Sequence, residues 1–200
     1  MKRLVLASGN PGKIREIGEL LAPLAIEVIP QTKLGITEAE EPHDTFVDNA
    51  LAKARHASRA SGLPALADDS GLSVEALGGE PGVHSAHYAG REGSREERDA
   101  RNNEKLLRGL GSDRRAHYTC VMVLVQNAED RNPLVAEGIW RGEIARAPRG
   151  TNGFGYDPLF YLPALGKTAA ELDPGEKNRI SHRGLALQKL LALLNESGRR

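Results

Sequence analysis

A chain of 200 residues, 40% hydrophobic and 27% charged, has the apolar content to bury one core or two small ones and is not disordered. Its 27 Lys and Arg are balanced by 27 Asp and Glu, so it lacks the basic excess that marks a nucleic-acid binder. The single cysteine, Cys120, excludes an internal disulfide and a cysteine-based zinc site, and it falls in the apolar run TCVMVLV as an inert core thiol. The apolar stretch after Met1-Lys2-Arg3 is too short for a signal-peptide core, and no run approaches membrane-spanning length. A cytoplasmic protein with no membrane and no nucleic-acid partner is expected.

The first element, RLVLAS, reads as a strand and breaks into the turn ASGNPGK. A helix follows from Pro11 to about Leu21, with Ile14, Ile17, Leu20 and Leu21 on one face. Strand, glycine turn and helix is a setting for anion binding. The spacing is not that of a P-loop, because two residues separate Gly9 and Gly12 and Ile14 follows Lys13. Asn10 suits the cap and Pro11 the first helical position, leaving the N–H groups of Gly12 and Lys13 for an anion. By itself the turn serves equally as a phosphate grip or as a plain connection with a surface lysine.

IEVIP is a second strand, and TFVDNALAKARHASRASG is a strong helix whose start carries a capping-box pattern at Thr45 and Asp48. On it Phe46, Ala50, Lys53 and Ala57 share a stripe, so Lys53 either snorkels outward or reaches a cleft. PALAD reads as a short buried strand ended by a turn at Ser70-Gly71, and SGLSVEAL as a strand-like extension. GGEPGVHSAHYAG is a loop, Ser94 and Glu97 open another helix, and AHYTCVMVLVQ and LVAEGIWRGEIA are long neighbouring strands. The glycine loop GTNGFGYDP precedes the strand PLFYL, and the last helix runs from about His182 to Asn195. Strands alternating with helices give an α/β class with a mixed sheet.

Four stretches carry chemistry. ADDSGL supplies adjacent carboxylates, Asp68 and Asp69, suited to a hard divalent cation or to taking a proton from water, and equally to a turn. EAEEPHD adds an acidic cluster that matters only if it meets that pair. GTNGFGYDP offers Phe154 and Tyr156 as stacking faces or as core caps. EKNRISHRG gathers Lys177, Arg179, His182 and Arg183 before or within the start of the last helix, where donors suit phosphate or a base carbonyl.

SGNPGK, ADDSGL, GFGYDP and EKNRISHRG, in that order over nearly the whole chain, resemble the inosine triphosphate pyrophosphatase family. The resemblance implies a single domain over residues 1–200 with a mixed twisted sheet, flanking helices and two lobes around a central nucleotide-binding cleft. It also implies a homodimer and Mg²⁺-dependent hydrolysis of ITP, dITP and XTP to monophosphate and pyrophosphate, which cleanses the nucleotide pool that feeds DNA and RNA. Carried over, Ser8, Gly9, Asn10, Pro11, Gly12 and Lys13 bind the triphosphate with Lys53 beside it. Asp69 takes the proton of the attacking water. Magnesium falls to Asp69 and Asp68 with an acid of the Glu40–Glu41 pair, Glu41 preferred. Ser70, Phe154, Gly155, Tyr156, Asp157, Lys177, His182 and Arg183 contact the nucleotide, with His182 and Arg183 reading the base carbonyl. Three positions depart from the family pattern: Pro42-His43 in place of a glycine turn, Asp48 in place of Glu, and His87 in place of Arg. A Maf-like pyrophosphatase and a non-catalytic nucleotide sensor are the competing readings.

Overall fold

The computed structural model describes residues 2–24 and 26–198. Seven strands, β1 (Arg3–Leu6), β2 (Glu27–Pro30), β3 (Ala65–Val74), β4 (Arg115–Val125), β5 (Leu134–Ile144), β6 (Phe160–Leu162) and β7 (Lys167–Thr168), form one sheet. Their order is β2-β1-β3-β4-β5-β6-β7. The α-helices are α1 (Pro11–Leu21), α2 (Phe46–Ser61), α3 (Arg95–Gly109), α4 (Pro174–Ile180) and α5 (His182–Glu196). β1 pairs in parallel with β2 and β3, whereas β5–β6 and β6–β7 are antiparallel, so the sheet is mixed as expected.

The chain divides into two compact units. The first comprises residues up to Asp69, Cys120–Gly138 and those from His182 onward. Here β1 lies between β2 and β3, and the chain reaches β2 through α1 and β3 through α2. Right-handed crossovers in opposite directions place the two helices on opposite faces. The packing shows this directly. Leu4, Leu6, Leu66, Cys120 and Met122 meet Ile17 and Leu21 of α1 and Leu187 and Leu190 of α5. Val5, Ala7, Ala65, Ala67 and Val121 meet Ala50, Ala54 and Ala57 of α2, whose small side chains let that helix close on the strands. The strand order reverses at β1, and open α/β sheets bind ligands outside the carboxyl ends of their strands at such a point.

The second unit comprises Ser70–Thr119 and Ile139–Ser181. Its core joins Leu72, Tyr118, Trp140 and Phe160 to Leu106 of α3. Tyr118 and Trp140 each pack against the Phe160 ring, with centroids 4.7 and 5.0 Å away.

Three local expectations change. β3 is one ten-residue strand with no turn at Ser70-Gly71. Gly71 serves close approach instead: a Cβ there would lie 2.1 Å from the Gly82 carbonyl oxygen of a short 3₁₀ helix, Gly82–His87, that replaces the expected loop. The basic segment lies as expected, with Lys177 and Arg179 on α4 just before the last helix and His182 at its start. At α2 the Thr45 hydroxyl accepts from the Asp48 N–H and donates to the Asp48 carboxylate at 2.5 Å. Asp48, one methylene shorter than Glu, bonds the cap side chain and forms no reciprocal box with the cap backbone.

Gly138 of β5 lies under the first turn of α5, where a Cβ would sit 2.1 Å from the His182 carbonyl oxygen and 2.5 Å from the Ala186 nitrogen. Backbone atoms cannot rotate away, so Gly138→Ala should cost about 3 kcal/mol. That corresponds to a melting temperature lower by about 6–12 °C in a scanning calorimeter. An unchanged Tm would contradict this packing.

Candidate active site

The turn after β1 is organised by its own side chains. Asn10 caps α1, its Oδ1 accepting from the N–H groups of Gly12 at 2.9 Å and Lys13 at 3.4 Å, while the Asn10 N–H donates to Ser8 Oγ at 3.2 Å. The two N–H groups expected to face an anion are therefore taken by the cap, which satisfies helix-end donors before any ligand arrives. Gly9 lies against Glu38, the first acid of the EAEEPHD cluster, for a Cβ there would meet its carboxylate at 2.2 Å. Lys13 points its ammonium at Asp68, 3.0 Å away.

Asp68 and Asp69 are consecutive in β3, so their side chains leave opposite faces of the sheet. Asp68, 1% exposed, joins the side of α1 and α5. It accepts from Lys13 and from Nε and Nη2 of Arg183, both at 3.3 Å, while Arg183 Nη1 donates at 2.5 Å to Glu16. Burial opposes the Asp68 charge, but Lys13 and Arg183 outweigh it and hold the carboxyl far below the usual carboxylate range. The same burial together with Asp68 pushes the Cys120 thiol up to about 12, so it is inert. Arg183, expected at the nucleotide, is itself 1% exposed and turned to these two acids. His182 beside it is also buried.

Asp69 joins the α2 side. Its Oδ1 accepts from Lys53 Nζ at 2.9 Å and its Oδ2 from Asn49 Nδ2 at 3.3 Å. Lys53 also bonds Glu41, so one ammonium bridges two carboxylates. Burial raises the Asp69 pKa despite the opposing Lys53 and Lys13 charges. Burial likewise opposes the Lys53 charge, but Asp69 and Glu41 overcome it and keep the ammonium protonated. Asn49 clasps the loop that carries Glu41, accepting from the His43 N–H and donating to the His43 carbonyl.

The donor set fits magnesium. Glu41 and Asp69 present oxygen atoms around a shared cation, the Lys53 ammonium, which stands in for a metal's charge. Among the described residues no group of three or more His, Cys, Asp or Glu is placed to hold an ion. Two carboxylates completed by water and phosphate oxygens are what magnesium ordinarily takes. Of the other expected ligands, Glu40 is exposed and makes no ion pair with Lys53, and Asp68 is committed to Lys13 and Arg183.

Ser70, Phe154–Asp157 and Lys177 belong to the second unit. Ser70 is a half-buried strand residue. Tyr156 is core: it is 4% exposed and its hydroxyl donates to the Ser85 carbonyl at 2.8 Å. Phe154 is half-buried, with Lys177 Nζ 5.1 Å from its ring centroid. Lys177 is buried and bonds Asp157 at 2.6 Å, and Asp157 in turn accepts from the Phe154 N–H at 2.8 Å. From α3, Asp99 accepts the Gly155 N–H and Asn103 donates to the Gly155 carbonyl, each at 2.9 Å. The sequence reading missed this pair, although its i, i+4 spacing on one helix face was a visible signal.

Removing one member of a buried ion pair strands the other, so Arg183→Ala should cost about 3–5 kcal/mol in denaturant titrations. Because the Asp68 pKa is lowered in the folded state, its contribution is complete above the ordinary carboxylate value of about 4 and is lost as pH falls below it. The stability advantage of the native chain over Asp68→Asn should be constant between about pH 5 and 8 and shrink below about pH 4. An advantage unchanged at low pH would contradict the ionised assignment.

Known proteins resemble this chain along nearly its whole length. The model of the Ham1 family matches residues 4–193. A dITP/XTP pyrophosphatase of Burkholderia pseudomallei is 62% identical over 97% of this chain and 94% of its own length, and one of Nitrosomonas europaea is 61% identical over 98% and 96%. Among solved structures, a HAM1 protein from Coxiella burnetii superposes with TM-score 0.87 at 52% identity, covering 98% of this chain and all of that one. The Staphylococcus aureus Ham1 protein gives 0.84 at 42% identity, covering 98% of this chain. With a family model spanning nearly every residue and relatives this similar over almost their full lengths, the chain belongs to the Ham1 family.

Proposed function

We propose that the protein is a nucleoside triphosphate pyrophosphatase that hydrolyses dITP, XTP and ITP to the nucleoside monophosphate and pyrophosphate. The observation that carries this reading is the Lys53 ammonium held between Glu41 and Asp69 beside the Asn10-capped turn at the end of β1. It supports a reading in which Asp69 acts as base beside a cation at the kind of position where open α/β sheets receive ligands. The names of the similar Burkholderia and Nitrosomonas proteins support the substrate class.

In the reaction a water oxygen bonds the α-phosphorus, the bond from that phosphorus to the bridging oxygen breaks, and pyrophosphate departs. Asp69 takes the water proton at a carboxylate oxygen. Asn49 and Lys53 fix its orientation. Lys13 and Lys53 supply positive charge beside the phosphates as charge develops there. A magnesium ion, held by Glu41 and Asp69 oxygens, would supply further charge neutralisation on the triphosphate.

In the second unit Phe154 is the residue proposed to stack on the base. Tyr156, Asp157 and Lys177 act by holding its loop. Base choice follows hydrogen-bond polarity: a site built to donate to a 6-carbonyl leaves polar groups unpaired when adenine presents an amino group. With Arg183 turned to Glu16 and Asp68, that donation falls to His182 or to backbone N–H groups. The protein is further proposed to act as a cytoplasmic homodimer that removes deaminated purines before polymerases use them.

With Mg²⁺ and a panel of dITP, XTP, ITP, ATP, GTP and dTTP, the first three should release pyrophosphate and no orthophosphate. Orthophosphate release, or equal turnover of ATP, would overturn the reading, and tight binding without turnover would favour a sensor. Asp69→Asn should lower kcat by at least about a hundredfold while leaving dITP binding measurable by fluorescence titration. Asp99→Ala frees the Phe154 loop and should raise KM for dITP about tenfold with kcat within about twofold. Loss of kcat alone would show that α3 does not act through substrate positioning.

A further inference from the structure

One cavity lies wholly within the second unit and shares no residue with the proposed active site. It is a pocket of about 580 Å³ lined by Arg114, Arg115, Arg146 and Arg149, with Asp113, Glu143 and Tyr161 among its other walls. That volume lies in the range of small-molecule sites. Arg115 is neutralised by Asp113 at 2.7 Å and Glu75 at 3.1 Å. Arg149 lies over the Tyr161 ring and 3.4 Å from Glu171. The other two guanidinium groups differ. Arg114 is locked by backbone carbonyls, donating to Ile144 at 2.5 Å, Ala145 at 2.9 Å and Gly111 at 3.2 Å, and it meets no carboxylate. Among the described residues Arg146 makes no ion pair and Glu143, the remaining acid of the lining, pairs with neither. Burial and the neighbouring Arg146 charge push the Arg114 pKa down, so the two cations repel each other across the pocket.

Two like charges, one of them fixed by three carbonyl bonds, are held together at a cost that a bound anion removes. Fixed guanidinium forks match the paired oxygens of phosphate. We propose that this pocket binds a small phosphate-bearing anion between Arg114 and Arg146, with Arg149 and Tyr161 as its flank.

The test is calorimetric titration of inorganic pyrophosphate into Lys53→Ala protein, in which the active-site lysine no longer contributes, without divalent metal and at low salt. One saturable site is expected. Arg146→Glu in that background should weaken it at least about tenfold, the weight of one charge-assisted hydrogen bond. Arg114→Gln should do the same, but Arg114 also ties down three carbonyls, so the exposed Arg146 is the deciding variant. A parallel titration with ADP separates the sources: tighter binding than pyrophosphate assigns the anion to a nucleotide, and equal or weaker binding assigns it to inorganic phosphate chains. Absence of saturable binding, affinity unchanged by Arg146→Glu, or equal affinity for sulfate would each overturn the proposal.

Discussion

A β-strand cannot turn two consecutive side chains to the same face, and the first unit is organised around that constraint. Asp68 and Asp69 come from one backbone segment yet meet different helices, different lysines and different dielectric surroundings. Asp68 is sealed among Lys13, Arg183 and Glu16 and stays charged because two cations outweigh its burial. Asp69 keeps an edge toward solvent, pairs with one shared lysine, and is made more basic by the same burial. One acid fixes α1 and α5 to the sheet, and the other retains chemistry. The division follows from the crossover topology, since α1 and α2 could not both supply lysines to adjacent strand residues unless they lay on opposite faces.

Much of this arrangement is legible in the sequence. The apolar spacing of α1 and α2, the Asn10 and Thr45 caps, and the alternation of strand and helix are local, and local patterns specify them. Lys53 read ambiguously because a lysine among alanines looks the same whether it snorkels or reaches inward, and only the distant Glu41 and Asp69 decide. Ser70-Gly71 misread as a turn for a related reason. Glycine's tolerance of turns is visible locally, whereas the crowding of Gly82 against β3 is not. Glu16 was hidden because it sits among the apolar residues of α1, and its partner Arg183 lies at the far end of the chain. Contacts over such separations leave no periodic trace.

The glycine loop of the second unit shows how its aromatics are divided. Tyr156 is drawn into the core by a hydroxyl bond to Ser85, which leaves Phe154 as the half-buried ring. Its backbone is held from both directions, by Asp157 on Phe154 and by Asp99 and Asn103 on Gly155. A loop tied at consecutive peptide groups has already lost conformational entropy before any ligand arrives. Lys177 beneath serves Asp157 and the ring face together. A lysine so deeply paired supports the loop.

The zero formal charge of the chain acquires a local meaning at the proposed phosphate site. Every lysine there already faces an acid: Lys13 faces Asp68, and Lys53 faces both Glu41 and Asp69. A triphosphate entering a cluster in which two lysines face three carboxylates has two routes. It can break those pairs, exposing buried carboxylates to its own negative charge, which is costly where Asp68 is sealed from water. Alternatively it can arrive with positive charge of its own, so that the acids gain a partner while the lysines turn toward phosphate. The second route leaves no carboxylate stranded, and it uses the fact that Glu41 and Asp69 converge on a point where a cation already resides. A cluster with no spare positive charge holds a bare polyanion weakly.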